Sequence, residues 1–173
     1  MAAHLQLARP ADVTCSAPSP ERPIRVVLAD DHALMRRSLR LLLDTGEDIE
    51  VVAEAADLKT VMREVHDRRP HVLVLDLSMP GGSSLDAIRR LREEVTSTEI
   101  VVLTIEDSPA FAQHALDAGA IGFVRKDFAD VELNRSVRAA ARGEQYVSPQ
   151  VIAGLESITS SGCRRASGWS VRR

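Results

Sequence analysis

Residues 72–80 read Val72-Leu73-Val74-Leu75-Asp76-Leu77-Ser78-Met79-Pro80, an apolar run that ends on one carboxylate with a proline close behind. Four successive branched aliphatic residues are the pattern of a strand covered on both faces. A carboxylate cannot share that burial unless its charge is compensated. Asp76 therefore belongs at the rim of a sheet, facing a cleft.

The same pattern recurs on either side. "IRVVLAD" (24–30) reads as a first strand, Ile49 to Ala55 as a second, "EIVVLT" (99–104) as a fourth and "AIGFVRK" (120–126) as a fifth. Between them lie helical periodicities. Met35, Leu39, Leu42 and Leu43 share one face, as do Leu58, Val61, Met62 and Val65. A third helix is carried by Leu85, Ile88, Leu91 and Val95. A fourth spans 108–118, opened by Ser108-Pro109, and a fifth runs from Val131 to Ala141. Five strand–helix units with strands apolar on both faces predict an α/β fold: a five-stranded parallel, doubly wound sheet. The flavodoxin-like strand order 2-1-3-4-5 follows as the common solution, with the functional site beyond the carboxyl ends of strands 1 and 3.

Polar residues converge on that edge. Asp30 and Asp31 end the first strand, Asp76 the third, Thr104 the fourth and Lys126 the fifth. Taken singly, each has an ordinary use: an acid pair caps a helix, a threonine ends a strand, a lysine faces solvent. Taken together they define a narrow chemistry. Three adjacent carboxylates repel unless a cation intervenes, and a hard divalent ion such as Mg²⁺ suits an all-oxygen set. A cation, an ammonium and a hydroxyl around one carboxylate orient a phosphoryl group, and the central carboxylate can act as nucleophile.

These residues resemble a known family. "VVLADDH", "VLVLDLSMPGG", "VVLT" and "GFVRK" are similar to the receiver domain of two-component response regulators, over about residues 24–142. "VLADDHALMRRSLRLLL" and "AARGEQYVSPQV" further resemble NarL/FixJ-type regulators. The resemblance implies that Asp76 is the phosphoacceptor and that Asp30, Asp31, Asp76 and the Ser78 main-chain carbonyl hold Mg²⁺. It implies that Thr104 and Lys126 bind the phosphoryl group and that Phe123 is the switch aromatic on the helix 4–strand 5–helix 5 face. A sensor histidine kinase is the implied partner, and the switch face, often an interface in this family, is compatible with a homodimer. Such a protein assists its own Mg²⁺-dependent phosphorylation and dephosphorylation rather than turning over a substrate. Two departures stand out: Ser84 replaces a frequent glycine, which implies backbone strain or an altered loop there unless Gly81 and Gly82 compensate, and the large Ile105 follows Thr104, narrowing access to Asp76 and slowing hydrolysis.

The remaining sequence bounds the function. The 173 residues are 45% hydrophobic with a formal net charge of −3, so no global basic footprint for nucleic acid exists. No apolar run is long enough to cross a membrane and no secretory signal is legible, which predicts a cytoplasmic protein. Cys15 and Cys163 stand in opposite tails without metal-ligand spacing. Residues 1–23 read as a disordered tail and 143–173 as a linker and flexible C-terminal tail. The residues after 151 are too few for a helix-turn-helix domain, so DNA binding is not supported by the residues present. The alternatives are the regulatory half of a DNA-binding transcription regulator and a pseudo-receiver that works without phosphorylation. A phosphoryl hydrolase with an aspartyl intermediate ranks below both, since no second catalytic acid is legible.

Overall fold

The structure is a computed structural model that describes residues 23–106 and 108–152. Residues 1–22 of the expected N-terminal tail (1–23), the C-terminal residues from 153, Cys15 and Cys163 lie outside the described residues. The strands are β1 (Ile24–Ala29), β2 (Ile49–Ala55), β3 (Val72–Asp76), β4 (Glu99–Thr104), β5 (Gly122–Arg125) and β6 (Tyr146–Val147). The helices are α1 (Ala33–Asp44), α2 (Leu58–Arg68), α3 (Ser84–Glu94), α4 (Pro109–Asp117) and α5 (Ala129–Ala141), with a 3₁₀ turn at Lys126–Phe128. The sheet order is β2-β1-β3-β4-β5-β6, and every adjacent pair is parallel.

The expected five strands and their order are present. The sixth strand is an addition, formed by residues expected to be linker. It arises because the edge of β5 has unpaired backbone groups, which Tyr146 and Ser148 satisfy by donating to the carbonyls of Ile121 and Phe123 at 3.1 and 2.9 Å. The fifth strand is also shorter than the sequence suggests: Lys126 opens the 3₁₀ turn rather than closing the strand.

The apolar runs divide by period two between the faces of the sheet. Val26, Leu28, Val72, Val74, Val101, Leu103 and Val124 pack with Leu39 and Leu43 of α1 and Leu133 and Val137 of α5. Val27, Leu73, Leu75, Ile100, Val102 and Phe123 pack with α2, α3 and α4 through Val61, Val65, Ile88, Leu91, Ala112 and Ala115. Helix boundaries have local causes. Asp57 caps α2 by accepting the Thr60 amide at 2.8 Å, and Ser83 caps α3 by accepting the Asp86 amide at 3.2 Å. Helix α2 ends on Arg69 in the left-handed region (φ 46°), just before Pro70. Ser108 takes the N-cap position of α4 without a side-chain cap bond, and Pro109 follows as expected.

Gly122 marks a close approach between β5 and β4. A Cβ there would lie 2.9 Å from Val101 Cγ2 on the neighbouring strand. Gly122→Ala should therefore cost about 2 kcal/mol in urea unfolding by overpacking. The same change in a Val101→Ala background should cost less than half as much. Equal losses in the two backgrounds would show that the contact does not set the requirement.

Candidate functional site

The carboxyl ends of β1, β3, β4 and β5 bring the sequence-predicted residues to one rim. Asp30 directly follows β1, Asp76 ends β3, Thr104 ends β4 and Lys126 directly follows β5. Asp30, Asp76 and Thr104 are buried (0, 1 and 0% exposed), which for two carboxylates demands compensation. Lys126 supplies it. Its Nζ donates to Asp30 Oδ2 and to Asp76 Oδ2, both at 2.7 Å. The remaining oxygens take backbone amides: Asp30 Oδ1 accepts His32 N at 2.8 Å, and Asp76 Oδ1 accepts Ser78 N at 3.1 Å. Both pairs are two-residue turns of the kind short acidic side chains favour. Burial opposes the charge on Lys126, but the bonds to Asp30 and Asp76 and their negative charges outweigh it and hold its pKa above the ordinary lysine value.

Asp31 is partly exposed, yet its Oδ1 is buried without a hydrogen-bond partner. His32 Nδ1 lies 2.8 Å from that atom but outside hydrogen-bonding geometry. Ligand atoms of Asp30, Asp31, His32 and Asp76 fall within 4.8 Å of one another. One ammonium against three carboxylates leaves excess negative charge, and an orphaned carboxylate oxygen faces the same space. That donor set fits a hard divalent cation. Thr104 Oγ1 accepts the Glu106 amide at 3.1 Å, which leaves its O–H as a donor. Phe123 is fully buried, pointing into the core beside α4.

The two departures resolve differently. Ser84 is not strained: it is the first residue of α3, buried, and its hydroxyl donates to Leu77 O at 2.8 Å. The positive φ values of this loop fall on Gly81 (104°) and Gly82 (137°) instead. Ile105 is 64% exposed.

Two participants escaped the sequence reading. His32 joins the acidic cluster, and its position directly after Asp30-Asp31 was the available signal. Arg36 Nη1 donates to Asp30 O at 2.6 Å while its Nε donates to Glu54 Oε2 at 3.1 Å. It thus ties the end of β1 to β2, and only the spacing of four residues from His32 along α1 hints at it.

A parallel doubly wound sheet with an acidic cluster and one lysine at its carboxyl edge defines the receiver class of signalling domains. The chain belongs to the response regulator receiver domain family, whose model matches residues 26–138. It is similar to the oxygen regulatory protein NreC of Staphylococcus epidermidis, with 40% identity over 133 residues, 76% of this chain and 61% of that protein. The chain thus spans less than two thirds of this curated relative. Among solved structures it is similar to a LuxR-family two-component response regulator from Aurantimonas sp. SI85-9A1, with TM-score 0.76, 31% identity and coverage of 80% of this chain and 99% of that one. It is also similar to RcsB of Salmonella. The isolated receiver domain of RcsB with the phosphomimetic BeF3− gives TM-score 0.72 at 30% identity, covering 78% and 99% of the two chains. A longer RcsB chain, studied for conformational dynamism in DNA interaction, gives 0.76 at 30% identity, covering 82% and 70%. These likenesses bear out the expected NarL-type receiver. Among the described residues, no helix is long and apolar enough to cross a membrane.

Replacing Lys126 by Met leaves Asp30 and Asp76 buried against each other. Its unfolding free energy at pH 8 without divalent cations should fall by about 3 kcal/mol. The direction of the lysine shift sets the pH window. The ion pair's contribution is fully present below the unfolded-state lysine value of 10.5 and is lost as pH climbs through the higher folded value. Urea melts of parent and variant from pH 7 to 10 should therefore keep a constant gap. A gap that closes below pH 9 would contradict the assigned pairing.

Proposed function

We propose that this chain is the phosphoacceptor of a two-component phosphorelay, with Asp76 as the modified residue. The observation that carries the reading is the double bond-sharing of Lys126, which fixes Asp76 at the cleft floor beside Asp30. A carboxylate oxygen of Asp76 attacks the phosphorus of a phosphohistidine on a sensor kinase. The new O–P bond forms as the P–N bond breaks, and the imidazole leaves with the bonding electron pair. Lys126, already 2.7 Å from Asp76 Oδ2, follows the charge onto a phosphoryl oxygen. The Thr104 hydroxyl, free to donate, gains an acceptor only when the phosphoryl group is present.

Asp30, Asp31 and Asp76, with the Ser78 carbonyl, would hold Mg²⁺. Bound there, the ion would neutralise phosphoryl charge and orient the oxygens for in-line displacement. The residues respond to that demand: the Asp31 oxygen without a partner is the least costly ligand to recruit. The aspartyl phosphate on Asp76 is then hydrolysed to inorganic phosphate and the free carboxylate, so the chain acts as a switch rather than a turnover enzyme. The α4–β5–α5 face, with Phe123 at its centre, is the surface that responds, and it would serve a homodimer. A histidine kinase as phosphodonor places the chain in the cytoplasm.

A second reading is favoured by two observations. The match covers 61% of NreC, and a longer RcsB chain has been studied for DNA interaction. In that reading the chain is the regulatory part of a transcription regulator, with Asp76 chemistry unchanged.

With Mg²⁺ and acetyl phosphate, intact mass should show a single phosphoryl adduct. The adduct should be absent from Asp76→Asn and from a Mg²⁺-free control. A folded parent without an adduct would point instead to a pseudo-receiver. Separately, millimolar Mg²⁺ should raise the thermal midpoint of the parent, and Asp31→Asn should abolish most of that rise. An equal rise in the variant would remove Asp31 from the ligand set.

A further inference from the structure

Ser148 has three tasks at the end of β6. Its amide donates to Phe123 O at 2.9 Å, extending the parallel ladder. The next ladder bond from β5 would go from the Arg125 amide to a carbonyl of the added strand. The chain turns at Pro149, however, and the Ser148 carbonyl instead accepts Val151 N and Ile152 N at 2.9 and 3.2 Å. The Ser148 hydroxyl fills the gap, accepting Arg125 N at 3.3 Å. The proton of that hydroxyl is given to Glu132 Oε2 of α5. Ser148 is fully buried and Glu132 is 7% exposed, so neither group has ready recourse to water.

The consequence lies in the chain order. Arg125 immediately precedes Lys126, and Glu132 lies one helical turn into α5, six residues after it. Both ends of the short arc that carries Lys126 are thus fastened to one oxygen atom. The Arg125 guanidinium lies over the Phe128 ring, 5.7 Å from its centroid, and stiffens the same arc. Val151, three residues after Ser148, is buried in the apolar cluster that holds Phe123, so the clamp is seated from the far side too.

We infer that Ser148 and Glu132 are positioning residues for Lys126, clamping the arc from Arg125 to Glu132 so that the ammonium stays on Asp30 and Asp76. The rate consequence rests on the phosphoacceptor reading; the clamp itself does not.

The test uses the full chain and the variants Ser148→Ala, Ser148→Thr and Glu132→Met. Three quantities are read: amide exchange at Arg125, the NMR signal of the hydrogen-bonded Lys126 Nζ protons, and the initial rate of adduct formation with Mg²⁺ and acetyl phosphate. Calorimetry gives Mg²⁺ affinity in parallel. In Ser148→Ala and Glu132→Met, exchange at Arg125 should rise roughly tenfold, the scale of one lost hydrogen bond. The Lys126 signal should broaden, and the adduct rate should fall by about fivefold, while Mg²⁺ affinity holds within about twofold. Ser148→Thr keeps the hydroxyl and should restore all three. An unchanged Lys126 signal in a folded Ser148→Ala variant overturns the inference, as does a parallel loss of rate and Mg²⁺ affinity. A parent that forms no adduct but whose Lys126 signal still depends on Ser148 keeps the clamp and overturns the phosphoacceptor reading instead.

Discussion

One ammonium holds the site together. Lys126 reaches Asp30 and Asp76 from the 3₁₀ turn that follows β5, and each contact is 2.7 Å. Two carboxylates that are almost fully buried would otherwise face each other across β1 and β3, adjacent strands in register from Val26 with Val72 to Ala29 with Leu75. The strand order makes the problem and solves it. Bringing β1 beside β3 puts the acids together, and β4 spaces β5 so that its end overlooks them. A lysine suits this task because its compact charge ends a flexible stem and can serve two acceptors. The backbone amides of His32 and Ser78 then occupy the oxygens Lys126 leaves.

Much of this was legible from residue order. Apolar runs ending in polar groups gave the strands and their common edge, because a doubly wound parallel sheet sends every strand's carboxyl end the same way. The residues expected to form the site, Asp30, Asp31, Asp76, Thr104 and Lys126, all stand at that edge. What sequence patterning could not supply were interactions between distant segments. The Ser148 hydroxyl depends on Glu132 and Arg125, sixteen and twenty-three residues away. A two-residue strand carries no periodicity to detect, so Tyr146–Val147 passed as linker. At Ser84 the compensation was legible and its use was not: the left-handed backbone stands on Gly81 and Gly82, which frees the serine hydroxyl to bridge to Leu77.

The acidic rim and β6 meet on β5. Its first half pairs with β6, Gly122 opposite Tyr146 and Phe123 opposite Val147, while its last residue leads straight into Lys126. Phe123 sits between these two uses and is buried against α4 alanines. A displacement of Lys126 therefore reaches Phe123 along the backbone of β5 through Arg125 and Val124. Small residues on α4, Ala112 and Ala115, leave the space that a bulky aromatic on β5 fills.

The outer strands also decide how the protein can meet another copy of itself. A parallel sheet exposes a strand at each margin, and an exposed margin invites addition of a foreign strand. At one margin β6 offers two residues before Pro149 turns the chain away. At the other, β2 presents Glu50 to solvent, and Glu54 is engaged by Arg36 and Arg40 of α1 at 3.1 and 2.7 Å. An incoming strand would meet too short a template on one side and charged side chains on the other. Growth by sheet extension, the route to fibrils, is thus disfavoured at both margins among the described residues.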